Sequence, residues 1–308
     1  MGTLWHTKRR ECGQVLALVA VLLVALLAML GLVLDGGRLY LERRHMQNAA
    51  DAGAMAGARV LALGGTEESA AASAQEYTVT RNGADISATT VVSPNVQVTA
   101  CESVPMTFAR IVAVNEVTAC ARAAATYGGI GAMGGLAPIA VYDFGFSHCD
   151  PNDPDPEECT YTIWDDDKDV DPVTTHQIQG GARGWLCLNC GYPDWCQCGA
   201  NLVKEWMRDG YPGVIEAGDY IPPKQGTVAS AIKEADVGQV LMLPVWDHIE
   251  ELDGKDYYHI IAFAAFKVTK VHATGNPKGI TGIFQRYVFP NHPVGPVDVG
   301  LRTANLTE

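Results

Sequence analysis

The sequence is short of positive charge. Its 308 residues include 22 Lys and Arg against 35 Asp and Glu, which gives a formal net charge of −13 at pH 7. Affinity for nucleic acid depends on Lys and Arg side chains that displace counterions from the phosphates. We therefore predict that nucleic acid is not a partner of this protein.

The sequence also lacks the motifs of common hydrolases. It contains neither the HExxH helix of zinc proteases nor the GxSxG nucleophile elbow, and His248-x-x-Glu251 is only distantly similar to the first. His259 falls in an apolar, alternating strand pattern, where a packing histidine is more common than a catalytic base. We predict no catalytic residues and a protein that is not an enzyme.

A long apolar run is the most prominent feature that the chain does have. Val15 to Leu34 reads VLALVAVLLVALLAMLGLVL, without a charged or strongly polar side chain. About 20 such residues in a helix cross a membrane. A cleaved signal peptide is the alternative, but its apolar region is normally roughly 7–15 residues long and ends at a small-x-small site, which is missing here. We predict a basic tail at 1–14 and a single transmembrane helix at 15–34.

The positions of the cysteines predict which side of the membrane each end of this span faces. Arg38, Arg43 and Arg44 lie just beyond it and cancel most of the charge asymmetry with the basic tail. Of the nine cysteines, Cys12 precedes the span and eight follow it. An even set of cysteines suits an oxidising compartment. We predict a single-pass protein of the cell membrane with a cytoplasmic N-terminus and an extracytoplasmic C-terminal part.

Small residues recur at helical spacing after the span, within RLYLERRHMQNAADAGAMAGARVLA at 38–62. Ala49, Gly53, Ala56 and Gly57 fall on one stripe, where helix backbones could approach closely. The alternative is an Ala-rich helix of high intrinsic propensity that lies on its own domain. We name these four residues as a helix-packing site.

The order of features around the span resembles a known family. Gly13-Gln14 precedes the apolar run, Leu34-Asp35-Gly36-Gly37-Arg38 ends it, and Gln47-Asn48-Ala49-Ala50-Asp51-Ala52 follows. Over residues 9–63 this order resembles the N-terminal module of the TadE/TadG-like Flp pilus-assembly proteins. The resemblance implies a pilin-like helix that leaves the membrane and packs sideways on pseudopilins, on other pilus-assembly proteins or on copies of itself.

The resemblance extends to a strand, short helix and strand in 96–123. Alternation in NVQVTAC and EVTACARA independently predicts half-buried strands. This chain departs from the family pattern in two ways. Leu18 stands where a prepilin peptidase site counted from Gly13 would have Glu, so we do not expect processing as a pilin. The DxSxS metal motif of von Willebrand type A domains, which larger TadG chains can carry, is missing.

These patterns predict an α+β fold. Residues 35–127 form the pilin-like helix and the TadE/TadG-like module, 128–137 form a Gly-rich linker, and 138–308 form a β-rich, cysteine-containing exported domain. Thr66 begins a helical segment that reaches residue 81. A short helix at 201–209 precedes three strands in QVLMLPVW, YYHIIAFAAFKVTKVHA and GITGIFQRYVF.

Eight cysteines are disulfide candidates: Cys101, Cys120, Cys149, Cys159, Cys187, Cys190, Cys196 and Cys198. Proximity favours Cys101 with Cys120, a loop of about 20 residues that a bridge would stabilise by about 3 kcal/mol. It also favours Cys149 with Cys159. The connectivity within CLNCGYPDWCQC is open, and a thiolate zinc site is the less favoured alternative there.

Acidic residues raise the question of calcium. Asp165, Asp167 and Asp169 offer carboxylates at alternate positions, which suits Ca²⁺. The run lacks the Gly and the closing Glu of an EF-hand, however, and a solvated acidic loop is the favoured interpretation. We predict no cofactor other than this low-ranked calcium site.

The prediction for function follows. The chain is a membrane-anchored, exported component of Flp/Tad-type pilus assembly that acts through protein–protein association and not through catalysis. The alternative is a surface-displayed binding or adhesion module that uses calcium.

Overall fold

The computed structural model describes residues 12–145, 159–166, 168, 170–178, 183–226 and 228–307. Its α-helices are α1 (Cys12–Ala62), α2 (Glu67–Gln75), α3 (Pro172–Thr175) and α4 (Ala200–Asp209). A π-helical segment, Glu76–Arg81, continues α2, and 3₁₀ helices lie at Ala109–Val112 and Ala231–Glu234. Helices therefore dominate the first quarter of the chain.

Strands occupy most of the remainder. In chain order they are β1 (Ile86–Val92), β2 (Asn95–Pro105), β3 (Glu116–Gly129), β4 (Ala132–Met133), β5 (Ile139–Tyr142), β6 (Thr160–Trp164), β7 (Gln177–Ile178), β8 (Arg183–Trp185), β9 (Ile215–Glu216), β10 (Tyr220–Ile221), β11 (Val240–Leu252), β12 (Lys255–His272), β13 (Gly279–Gln285), β14 (Tyr287–Pro290) and β15 (Leu301–Thr307). The predicted α+β class is confirmed.

Two large sheets organise these strands. The first has the order β1-β2-β3-β15-β14, and the second has the order β7-β6-β13-β12-β11-β5-β8, with β10 beside one half of β12. A small pair, β4 and β9, is separate. The first sheet is antiparallel except for the parallel β14–β15 pair. The first sheet thus combines β1, β2 and β3 with the distant strands β14 and β15.

Small side chains join α1 to the first sheet. Their shared feature is complete or nearly complete burial between the helix, α2 and the sheet; they include Ala49, Ala50, Ala54, Ala58, Ala70, Ala74, Ala100 and Ala125. Met46, Val96 and Val98 supply the larger members of this core. Alanine lets the helix axis lie close to the sheet, and it also favours the helical state.

A glycine pair ends α1. Gly64 has a φ of +89°, a conformation open to glycine at little cost. The N–H of Gly65 donates to Val60 O at 2.9 Å and the N–H of Gly64 to Leu61 O at 2.9 Å, as in a Schellman motif. Arg302 of β15 donates to Ala62 O at 2.7 Å, so a cation sits at the negative end of the helix.

The second sheet has a larger, aromatic core. Phe266 of β12 and Phe284 of β13 are cross-strand partners, both fully buried, with ring centroids 5.0 Å apart. Val203, Trp206 and Met207 bury one face of α4 against this core. The hydrophobic effect of these large side chains holds the second sheet together, whereas close packing of small ones holds the first.

Most predicted elements match the structure. The helical segment from Thr66 is present, and the Thr66 side chain accepts the N–H of Ser69. The three C-terminal strand patterns are β11, β12 and β13–β14. The predicted linker at 128–137 differs: β3 runs to Gly129, and Met133, Leu136 and Ala137 are buried. Glycine serves close approach there, because a Cβ on Gly131 would lie 3.1 Å from Gly295.

Candidate functional site

The N-terminal half of α1 is an apolar rod. Every residue from Val15 to Leu34 is exposed except Gly31, and the helix is long and apolar enough to cross a membrane. At about 1.5 Å per residue, 20 residues give roughly 30 Å, the thickness of the hydrocarbon core. This N-terminal helix points to single-pass membrane anchoring.

The helix meets the first sheet where the apolar run ends. Asp35 is buried, and its carboxylate accepts the N–H groups of Thr107 at 2.9 Å, Phe108 at 2.9 Å and Ala109 at 2.8 Å. These donors lie at the start of the 3₁₀ helix, whose free N–H groups need acceptors. One carboxylate therefore fixes the loop between β2 and β3 against α1.

A glycine makes this approach possible. A Cβ on Gly31 would lie 2.7 Å from the Cβ of Phe108, closer than real Cβ contacts. Phe108 and the exposed Ile111 thereby lie beside Val24 and Leu27 of the apolar run, where they line an apolar groove. The loop between β2 and β3 thus reaches alongside the predicted transmembrane span.

Polar contacts continue along α1 through the QNAADA segment. Gln47 Nε2 donates to the carbonyl of Arg122 on β3 at 3.1 Å and to Asp51 Oδ1 at 2.8 Å. The next two alanines, Ala49 and Ala50, are fully buried. The QNAADA segment therefore contacts the first sheet both through a hydrogen bond and through packed alanines.

An acidic pair lies one turn earlier. His45 Nδ1 is 3.0 Å from Glu42 Oε1 and 4.0 Å from Glu102 Oε2 of β2. The pKa of Glu102 is raised, first by its hydrogen bond with the Glu42 carboxylate, then by burial and by the negative charge of Glu42. A protonated Glu102 can donate a hydrogen bond to the Glu42 carboxylate, whereas an ionised Glu102 cannot.

The predicted helix-packing residues contact their own chain. Ala49, Gly53 and Gly57 are buried, and Ala56 is half-buried. A Cβ on Gly53 would meet Thr78 Oγ1 and would lie 3.0 Å from Ala74 O. A Cβ on Gly57 would lie 2.9 Å from Val96 Cγ1. The stripe thus has an intramolecular partner in α2, the π-helical segment and β2. Packing on another chain through it stays a prediction.

Three disulfides connect described cysteines. Cys101 and Cys120 face each other in register on β2 and β3, with their Cα atoms 4.2 Å apart, as predicted. The CLNCGYPDWCQC segment carries nested bridges, Cys187–Cys198 and Cys190–Cys196. These four sulfur atoms are bonded in pairs, so they do not offer the thiolates of a zinc site. The predicted Cys149–Cys159 bridge lies outside the described residues, because Cys149 is not described.

One of the calcium candidates has protein partners. Asp165 is buried, and its Oδ1 accepts from Trp185 Nε1 at 3.0 Å and lies 3.7 Å from Arg183 Nη2. Asp167 and Asp169 lie outside the described residues. A calcium site at these positions stays a prediction.

Local sequence patterns did not identify Asp35 or Arg302 as important side chains. Asp35 carried one signal, because it is the first charged residue after an apolar run and would be costly there without partners. Nothing in the sequence near Arg302 indicated its role, because its hydrogen bond to the end of α1 depends on the position of β15 in the folded chain.

Comparisons with known proteins bear on the N-terminal segment. Residues 13–60 match the model of a family described as "Putative Flp pilus-assembly TadE/G-like". Neither the curated proteins nor the solved structures contain a match to the chain. The matched segment coincides with the apolar rod of α1 and most of its packing on the first sheet, and it supports a role in Flp/Tad pilus assembly.

Proposed function

We propose that this protein is a membrane-anchored component of Flp/Tad-type pilus assembly that acts through protein–protein association, without catalysis. The observation that carries the proposal is the coincidence of the family match at 13–60 with α1. The helix supplies an anchor, and its C-terminal half presents the two sheets next to the membrane.

The proposed topology has the N-terminus in the cytoplasm and both sheets outside. Positive charges on the two sides of the span, Lys8 to Arg10 before it and Arg38 to Arg44 after it, largely cancel, so they do not decide the orientation. The bridges Cys101–Cys120 and Cys187–Cys198 need an oxidising compartment to form and persist. The proposed orientation therefore rests on the cysteine bridges.

The surface proposed to meet other pilus-assembly proteins is the free face of α1 beyond the span. One face of the helix is covered from Asp35 to Leu61. On the opposite face, Tyr40 and Leu41 are 67% and 66% exposed. Large apolar side chains in this position would gain by contact with another helix of the assembly.

Site-directed photocrosslinking in cells tests this association. A photoreactive phenylalanine analogue at Tyr40 should join the protein to another pilus-assembly protein or to a second copy. The matched control is the same analogue at Tyr287, an exposed tyrosine of β14. Specific adducts from position 40 alone are the expected result. Equal adducts from both positions, or none from position 40, would contradict the proposed surface.

A further inference from the structure

A β-bulge interrupts the pairing of β11 with β12 in the second sheet and contains three polar residues. In the pairing of β11 with β12, Trp246 faces Ile260 and Ile249 faces Tyr258. Asp247 and His248 therefore lie opposite the single residue His259. Successive residues of a regular strand point to opposite faces, whereas a bulge re-aims a side chain.

The bulge brings three ligand-bearing side chains together. His248 Nδ1 is 2.7 Å and His259 Nδ1 is 2.8 Å from the same oxygen, Asp247 Oδ1. One potential ligand atom from each residue lies within 4.8 Å of the other two. The imidazole rings of His248 and His259 have centroids 4.8 Å apart. Two imidazoles and one carboxylate thus converge from adjacent strands.

Neighbouring side chains support this arrangement. The ring of Tyr220, which pairs with His259 across β10 and β12, lies 4.9 Å from the His259 ring. Glu250 Oε2 is 3.6 Å from His248 Nε2. The side chains of His259, Asp247 and His248 are 22%, 42% and 48% exposed, so an ion can reach them from solvent.

We propose that Asp247, His248 and His259 form a binding site for a divalent transition-metal ion, with Zn²⁺ as its occupant. Imidazole with carboxylate is a ligand set that suits zinc, whereas calcium and magnesium prefer oxygen ligands alone. Two ligands at about 2.0–2.1 Å from a tetrahedral ion lie roughly 3.3 Å apart. Binding of the ion therefore requires the 2.7 and 2.8 Å spacings from Asp247 Oδ1 to widen to that value. Glu250 or water completes the coordination. This inference does not depend on the proposed function.

Zinc titration of the full-length protein tests the proposal. The protein is purified in detergent without a histidine tag, stripped with a chelator, and titrated with Zn²⁺ in competition with a chromophoric zinc chelator. His248→Gln and His259→Gln are the test variants. His45→Gln is the first control, because Glu42, His45 and Glu102 form another group with metal-ligand atoms close together. His272→Gln is the second, because His272 lies on β12 outside the bulge and contacts Thr281.

The expected result is one zinc ion per chain, with at least about 100-fold weaker binding in each test variant and unchanged binding in both controls. The thermal unfolding of each variant is recorded, and His248→Gln, the more exposed change, decides the question if His259→Gln does not fold. The proposal is overturned by the absence of saturable binding, by wild-type affinity in His248→Gln, or by a loss of binding in His45→Gln alone.

Discussion

The carboxylate of Asp35 accepts the backbone N–H of Ala109 at 2.8 Å, across 74 positions of sequence. The same carboxylate holds Thr107 and Phe108. Asp35 directly follows the apolar run, so this contact joins the first sheet to the point where α1 leaves the predicted membrane span. The apolar segment of α1 is therefore connected to the first sheet through ordered hydrogen bonds.

Removal of this carboxylate should loosen the first sheet. In Asp35→Ala three backbone N–H groups lose a charged acceptor, and we expect the free energy of unfolding to fall by about 2–4 kcal/mol. Thermal unfolding of the full-length protein in detergent measures the effect. Asp51→Ala is the control on the same helix, since Asp51 accepts a hydrogen bond from the Gln47 side chain. Equal losses in the two variants would show that the Asp35 contacts carry no special stability.

The small-residue stripe gives a second prediction. Gly53→Ala adds a Cβ against Thr78 Oγ1 and Ala74 O, so we expect it to destabilise the protein by about 1–3 kcal/mol. The matched change Gly37→Ala meets no atom within 4 Å and should stabilise α1 by up to about 1 kcal/mol. Thermal unfolding compares the two. A Gly53→Ala protein as stable as the wild type would argue that α2 does not lie against Gly53.

The acidic pair predicts a pH dependence. The pKa of Glu102 is raised, mainly by its hydrogen bond with Glu42 and then by burial, with a smaller opposing effect from His45. Its contribution to stability is therefore full below its ordinary pKa of 4.5 and is lost as the pH rises through the higher pKa of the folded state.

Glu102→Gln should remove this dependence, because the amide can donate to Glu42 at every pH. We expect the variant to match the wild type near pH 4 and to exceed its stability by on the order of 0.5 kcal/mol at pH 7. Denaturant unfolding at several pH values measures the difference, with Glu116→Gln on β3 as the control. A wild type as stable as Glu102→Gln at pH 7 would contradict the shared proton.

Local signals predicted much of the fold. The apolar run, the Ala-rich helix, the cap at Thr66 and the alternating patterns of β2, β3, β11 and β12 each depend on residues close in sequence. The Cys101–Cys120 bridge was also predictable, because a short loop brings its two strands together. In each case the residues responsible are close in sequence, and the most distant pair, Cys101 and Cys120, is separated by 19 positions.

Long-range features had no such signal. The pairing of β15 with β3 joins distant segments, and it places Arg302 at the end of α1. The bulge at Asp247 and His248 depends on how β11 and β12 register over their whole length. Glycines at 128–137 indicated flexibility by composition, whereas the structure uses Gly131 for a close backbone approach to Gly295. Packing between distant segments decided all three.

The most direct test of the proposed function is a count of surface filaments by electron microscopy. Cells that lack this chain are compared with the same cells complemented with the intact protein and with a variant that carries two lysines in the middle of the apolar run, at Val24 and Leu26. We predict that filaments disappear without the chain, return with the intact protein and do not return with the variant. Normal filament numbers in cells without the chain would contradict a role in pilus assembly.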